Sequence, residues 1–168
     1  MKQQKGVTLV ELMITVSIVA IILTIVGPSI QSILIKNSIV AEINEASSLI
    51  QYARHHAIDE QAEVVVCPSK DYSVCSNDWN DPKIVFIDKD DNAIRGVTEE
   101  LLVTIGATSS TSLMTNTTDI IKFTGTGEAN ETTEILLCHK DGKSEYARSL
   151  SVTLQGRVKM SSDSDRNG

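Results

Sequence analysis

Aromatic side chains are scarce in this chain: two phenylalanines, three tyrosines and one tryptophan among 168 residues. A core must therefore be built from Ile, Val and Leu, without the large area that each ring would bury. Catalytic signatures are missing as well. There is no G-x-S-x-G, no P-loop, no H-E-x-x-H and no C-x-x-C, so these familiar enzyme chemistries lack their residues at the needed spacing. Basic residues are outnumbered, 15 Lys and Arg against 22 Asp and Glu, for a net charge of −7. That balance repels nucleic acid and anionic lipid on average, so contact with either would need a local basic patch. Cysteine is sparse and odd in number, Cys67, Cys75 and Cys138, which excludes full pairing within one chain. No internal repeat is present.

Charge is nearly absent from the first segment. Between residues 7 and 35 the only formal charge is Glu11. The run is long enough for a spanning helix. A secretory signal peptide would have a shorter apolar region followed by small residues at a cleavage site, and no such site follows this one. Lys2 and Lys5 precede the run and predict that this end stays cytoplasmic, with the rest of the chain outside. A carboxylate in hydrocarbon costs several kcal/mol unless it is paired, and the flanking sequence offers Glu11 no partner. Gly27-Pro28 interrupts the run. Proline removes a helix hydrogen bond and clashes with the preceding turn, which predicts a kink at Pro28.

Beyond Pro28 the pattern turns amphipathic. Ile39, Ile43, Ala46, Ile50, Ala53 and Ala57 follow steps of four and three, one face of a helix. A single long helix over 7–62 is expected, with 7–30 as its membrane or filament half. His55 and His56 lie late on it, but adjacent helical positions point about 100° apart, so they are read as surface residues rather than metal ligands. Strands are predicted at 63–68, 83–88, 101–105, 120–124, 134–139, 150–154 and 158–160, with turn residues between them. The Ser/Thr/Asn-rich stretch 106–119 reads as a mobile loop and 161–168 as a flexible tail. Cys67 and Cys75, with Pro68 turning the chain between them, are the first choice for a disulfide in an oxidising compartment. Cys67–Cys138 is the alternative, and three small buried thiols is the reading for a reducing one.

The N-terminal residues KG-VTLVELMITVSIVAII resemble the leader of type IV pilins and type II secretion pseudopilins. The resemblance implies a leader over 1–6, cleavage between Gly6 and Val7 by a prepilin peptidase, and N-methylation of Val7, which stands where most members have Phe. It implies that Glu11 is an assembly residue, and Pro28 matches a proline that pilins commonly have. Cleavage would leave an α-amine on Val7, one helical turn from Glu11 and within reach of a neighbouring copy's Glu11 in a fibre. A carboxylate and an ammonium buried together offset much of each other's desolvation. The alternative is a Glu11 that snorkels to the headgroups without an assembly role.

A narrower resemblance covers the globular part. Tyr52-Ala53-Arg54, Val66-Cys67-Pro68-Ser69, Cys75, Trp79, Val85-Phe86-Ile87-Asp88, Leu137-Cys138 and Gly156-Arg157 are similar, in that order, to the FimT/FimU minor pilins and the related GspH pseudopilins. It implies an α+β, type IV pilin-like fold: the long N-terminal helix packed on a C-terminal antiparallel β domain over 63–160. It also implies a bacterial inner-membrane subunit, single-pass with its C-terminal domain in the periplasm, that reaches the cell surface in a pilus. The partners implied are other major and minor pilins, the inner-membrane assembly platform and the prepilin peptidase. No cofactor and no enzymatic activity are expected.

Two further stretches carry candidate sites. Residues 88–99, DKDDNAIRGVTE, place Asp88, Asp90, Asn92 and Glu99 at calcium-loop spacing, but Ala93 replaces the usual glycine and the flanks read as strands. A solvated hairpin turn explains the same residues, and no metal is assigned. GRVK, 156–159, is similar to the G-R-x-R motif through which some FimT-like pilins bind double-stranded DNA, and the resemblance implies Arg157 as a contact. Lys159 keeps the charge of the second arginine but loses its planar fork. Arg148 and Lys143 are added as candidate contacts because 139–159 is locally basic; an exposed hairpin with ordinary surface charge is the alternative. The expectation is a minor pilin of a type IV pilus, with DNA capture during uptake as a second role. Its rivals are a GspH-like pseudopilin of a type II secretion system and a membrane-anchored binding module that never polymerises.

Overall fold

The computed structural model describes residues 6–142 and 144–162, the side chains of 25–29 and 144 excepted. The chain divides into two compact units, Met1–Asn37 and Ser38–Gly168. Helix α1, Leu9–Glu60, begins in the first unit and ends in the second.

In the first unit α1 opens on an N-cap. Thr8 precedes the helix and its Oγ1 accepts the Glu11 N–H at 3.3 Å, which satisfies one of the donors a helix start leaves free. Leu9, Val10, Leu12, Met13, Ile14, Val16, Ile18 and Val19 are all exposed. The few polar groups turn inward on their own helix: the Thr15, Ser17 and Thr24 hydroxyls donate to the carbonyls of Leu12, Met13 and Ile21, which hides them from an apolar surrounding. Among the described residues no helix is long and apolar enough to cross a membrane; the expected 7–30 span includes 25–29. The helix is unbroken through Gly27-Pro28, where the sequence predicts a kink.

In the second unit Ile39, Ile43, Ala46, Ile50, Ala53 and Ala57 are buried, joined by Ser47 and Leu49. The helix stops at Gln61, which adopts a positive φ of 51°. Its own amide compensates by donating to the carbonyls of Ile58 (2.7 Å) and Gly125 (3.2 Å), and the Ala62 N–H closes the last turn on the Ala57 carbonyl.

Among the described residues eight strands form two antiparallel four-stranded sheets. The first contains β1 (Val64–Pro68), β2 (Lys83–Ile87), β3 (Leu101–Ile105) and β5 (Ile121–Phe123), in the order β3-β2-β1-β5. The second contains β4 (Ser112–Asn116), β6 (Thr133–His139), β7 (Arg148–Val152) and β8 (Val158–Ser162), in the order β4-β6-β7-β8. β1 and β2 are buried on both faces, which is why 64–67 and 84–87 read as unbroken apolar runs. On one face Val65, Cys67, Ile84 and Phe86 form a cluster against which Cys75, Leu101 and Ile120 pack. Cys75 reaches it because a disulfide joins Cys67 and Cys75 across a Cα–Cα distance of 5.6 Å. The loops after β1 and β2 pair with each other through a Val74–Ile94 bridge and through the Arg95 N–H donating to the Ser73 carbonyl at 2.9 Å.

β4 lies inside the stretch that the sequence assigns to a mobile loop. Its pattern is inverted: Ser112 is buried and Leu113 exposed. Ser112 can be buried because its hydroxyl donates to Glu42 Oε1 at 3.0 Å. The strand is held from the side by Asn80, whose amide accepts the Met114 N–H (2.9 Å) and donates to the Met114 carbonyl (3.2 Å) as a neighbouring strand would. At the other end β8 reaches Ser162 and so takes in the first two residues that the sequence reading assigns to the tail; 163–168 lie outside the described residues.

Candidate functional site

Gly6 and Val7 are exposed ahead of α1, and Glu11 is an exposed carboxylate in the first turn of an otherwise apolar helical surface. The helix start favours a negative charge there. The N-cap is a signal legible at Thr8 that the resemblance alone does not call on. The backbone of Pro28 continues the helix; its side chain, like residues 1–5, lies outside the described ones.

The C-terminal basic residues sit on the β7–β8 hairpin. Its turn closes with the Gly156 N–H donating to the Thr153 carbonyl at 2.8 Å and the Thr153 N–H donating to the Arg157 carbonyl at 3.0 Å. Gly156 has a φ of +70°, a conformation that penalises any Cβ. A Cβ there would also run into the Gly127 carbonyl oxygen and come within 2.9 Å of Arg54 Cδ. The space is taken by Arg54, which reaches over from α1. Its Nε donates to the Gly127 carbonyl and its Nη2 to the Gln155 carbonyl, each at 2.9 Å. Arg157 and Lys159 are both exposed and, two positions apart on an extended edge, share one face.

Arg148 does not join them. Lys159 stands opposite Ser151, whereas Arg148 stands opposite Ser162, and along β7 it alternates with Ser149 and falls in step with buried Leu150 and Val152. It therefore faces the helix side of the sheet, in a groove that Val40, Ile43 and Asn44 also line. The parity of the strand, not local charge density, decides which basic side chains meet. Lys143 lies outside the described residues.

The 88–99 loop brings the carboxylates of Asp88, Asp90 and Glu99 within 4.8 Å of one another, but these acids have work inside the loop. Asp88 accepts the N–H groups of Asn92 (3.2 Å) and Ala93 (3.0 Å). Glu99 accepts those of Lys89 and Gly96, each at 2.7 Å. Lys122 from β5 supplies a cation: its Nζ bonds Asp91 and lies 3.5 Å from Asp88 and 3.7 Å from Glu63. Burial works against its charge, yet the Asp91 bond and the fields of Glu63 and Asp88 outweigh it and hold the ammonium above its ordinary range. The backbone strain falls on Asp91 and Ala93, both at positive φ, the latter where a calcium loop has glycine.

Lys83, which sequence reading treats as a strand residue and no more, is buried at the start of β2. Its Nζ donates to Thr108 Oγ1 at 2.8 Å. Burial pushes its pKa down to about 8, against the pull of Glu42 and Glu45 on α1. Of the three cysteines, Cys138 is the one outside the disulfide. His55 and His56 diverge as expected: His56 stacks on Tyr52, ring centroids 5.9 Å apart, while His55 lines a crevice with Arg54 and Arg157.

No curated protein sequence matches this chain at a significant level. Among solved structures, the type IV minor pilin FimU of Pseudomonas aeruginosa strain PAO1 superposes with a TM-score of 0.62 at 20% identity, over 76% of this chain and 91% of that one. The minor pseudopilin EpsH from the type II secretion system of Vibrio cholerae superposes with a TM-score of 0.54 at 7% identity, over 73% of this chain and 94% of that one. The fold is thus the type IV pilin-like arrangement of an N-terminal helix and antiparallel sheets. Residues 1–27 match the prokaryotic N-terminal methylation motif. Residues 42–156 match the family described as type II transport protein GspH, and the chain belongs to that family of minor pilins and pseudopilins.

Proposed function

We propose that this chain is a low-abundance subunit of a type IV pilus. The peptidase removes residues 1–6, Val7 is methylated, and residues 7–30 hold the subunit in the inner membrane as a single-pass protein, its 63–160 domain in the periplasm. The assembly platform then draws it in among other pilins. The observation that carries this reading is Glu11, the one carboxylate on an apolar, exposed helical surface. Such a group is costly in hydrocarbon alone and acceptable beside a neighbour's Val7 ammonium.

The test is Glu11→Ala in the native host, with filaments sheared from the cells and probed for the chain. Loss from the filament fraction with normal membrane levels is expected. Undiminished recovery from filaments refutes the pairing, and absence of the wild-type chain from any filament favours a stand-alone anchored module. A deletion strain separates the two systems: loss of twitching or transformation supports the pilus, and loss of protein secretion supports the GspH-like pseudopilin.

A second role, DNA capture, is supported by Arg157 and Lys159 standing exposed on one face of the hairpin. Binding there would be weak, indifferent to sequence and strongly salt-dependent. Equal retardation of a duplex by the wild-type chain and by Arg157→Ala plus Lys159→Ala would remove it.

A further inference from the structure

The hairpin is not the whole of the basic surface. Between α1 and the β7–β8 turn lies a crevice of ≈ 190 Å³ walled by Gln51, Arg54, His55, Gly156, Arg157 and Val158. Two of these residues are arginines, one is a histidine and none is an acid, in a chain of net charge −7. The Arg54 guanidinium is fixed by the Gly127 and Gln155 carbonyls. Carbonyls orient a cation without cancelling its charge. Among the described residues neither Arg54 nor Arg157 forms an ion pair. The crevice therefore holds fixed positive charge, part of it already desolvated and in place, which lowers the ordering cost of taking an anion.

We propose that this crevice is a phosphate-binding site: one backbone phosphate of a nucleic-acid strand enters beside His55 and the braced Arg54, and the strand continues around the hairpin edge to Arg157 and Lys159 on the other face of the sheet. Residues two apart on a strand are about 6.8 Å apart, so Arg157 and Lys159 address successive positions along the ligand. Contacts to phosphate carry no sequence information. The site takes any phosphodiester chain and distinguishes one only by its shape. The proposal rests on the DNA-capture reading of the hairpin and extends it to the helix.

The experiment uses the full chain in nonionic detergent, free of phospholipid, with a fluorescent DNA duplex read by anisotropy at several salt concentrations. Gln51→Glu and Gln51→Lys change the charge of the crevice and leave the hairpin intact. An acid at 51 can still bond Ser47, which Gln51 does now at 2.9 Å, so the helix is undisturbed. Ala41→Glu and Ala41→Lys make the same changes at an exposed position on the same helix. Gln51→Glu is expected to weaken binding about tenfold and Gln51→Lys to tighten it about threefold, with each Ala41 variant within about twofold of wild type. If the two positions respond alike, the crevice is overturned and the effect is one of net charge. If Arg157→Ala plus Lys159→Ala binds as wild type, the hairpin reading has failed and the crevice falls with it. If that double variant loses binding while the Gln51 variants track the Ala41 ones, only the crevice falls.

Discussion

Lys83 offers the sharpest test of the packing in the second unit. Replacing it by methionine keeps the stem and removes the ammonium. In the native state burial lowers its pKa from 10.5 to about 8. At pH 7 the lysine is charged both folded and unfolded, so the full difference between the two constants opposes folding, about 3 kcal/mol as an upper figure. The sign follows from proton counts. Between pH 8 and 10.5 the unfolded chain holds a proton on Lys83 that the native chain has released, so native stability rises with pH across that window and levels off above it. Lys83→Met removes this rise. It also removes the bond to Thr108 Oγ1, worth about 1 kcal/mol. The Thr108 hydroxyl keeps the Trp79 carbonyl, 3.3 Å away, as an acceptor. The variant is therefore expected to be more stable than wild type at pH 7 by about 2 kcal/mol, with the advantage shrinking toward pH 10.5. Denaturant unfolding of both full chains in detergent, followed by circular dichroism from pH 6.5 to 10.5, measures it. Other alkaline groups titrate equally in the two proteins and cancel in the difference. A wild-type-minus-variant curve flat in pH, or a variant less stable at pH 7, would refute the argument that burial dominates at this site.

Other outcomes follow from the same geometry. Gly156→Ala is expected to cost about 2–4 kcal/mol, since it adds both a positive-φ penalty and a collision with Arg54, measured by the same unfolding assay. Cys67→Ser with Cys75→Ser is expected to lower stability by about 2–3 kcal/mol, and reductant should shift the wild type but not the variant. Lys122→Met is expected to cost about 1–3 kcal/mol at neutral pH by leaving buried Asp88 with its two backbone N–H bonds but no nearby cation. Because the Lys122 pKa is raised on folding, its stabilising contribution is complete below the ordinary lysine range and disappears only as pH rises through the raised value. Millimolar calcium is expected to shift the melting temperature by less than about 1 °C, since backbone amides already engage Asp88 and Glu99; a rise of several degrees would reinstate the calcium loop.

The parts of this fold that were legible share a physical cause. α1 is readable because Ile39 through Ala57 repeat on one face and because Glu11 is alone in an apolar run. β1 and β2 are readable because their sheet buries them heavily and their apolar runs start and stop at turn residues; β3, only partly buried, is readable from its apolar run alone. β4 is unreadable by the same logic: its buried Ser112 is made acceptable by Glu42, 70 positions earlier, and its lateral support comes from the side chain of Asn80. Proximity in sequence groups Arg148 with Arg157, and only the register of β7 against β8 separates them. Lys83 carries no local sign of burial; its hydrogen-bond partner Thr108 and the carboxylates that pull on it lie on other elements.

Arg54 changes what the similarity at Gly156-Arg157 means. The Ala-Arg pair late in the helix and the Gly-Arg pair near the end of the chain look like separate marks of one family, yet Arg54 bonds the carbonyl of Gln155, 101 positions away, and fills the space beside Gly156. Gly156 lacks a side chain because Arg54 occupies the space and the turn needs a positive φ. That need exists whether or not anything binds. The glycine is thus an argument about how the hairpin docks on the helix and carries no weight for DNA. Arg157 is different: the docking uses only its backbone, and its side chain is exposed. The case for a nucleic-acid surface therefore rests on Arg157, Lys159 and the charge of the crevice behind them. A variant that breaks the Arg54 clamp would disturb folding and binding together. Substitutions at Gln51, which takes no part in the clamp, separate the two.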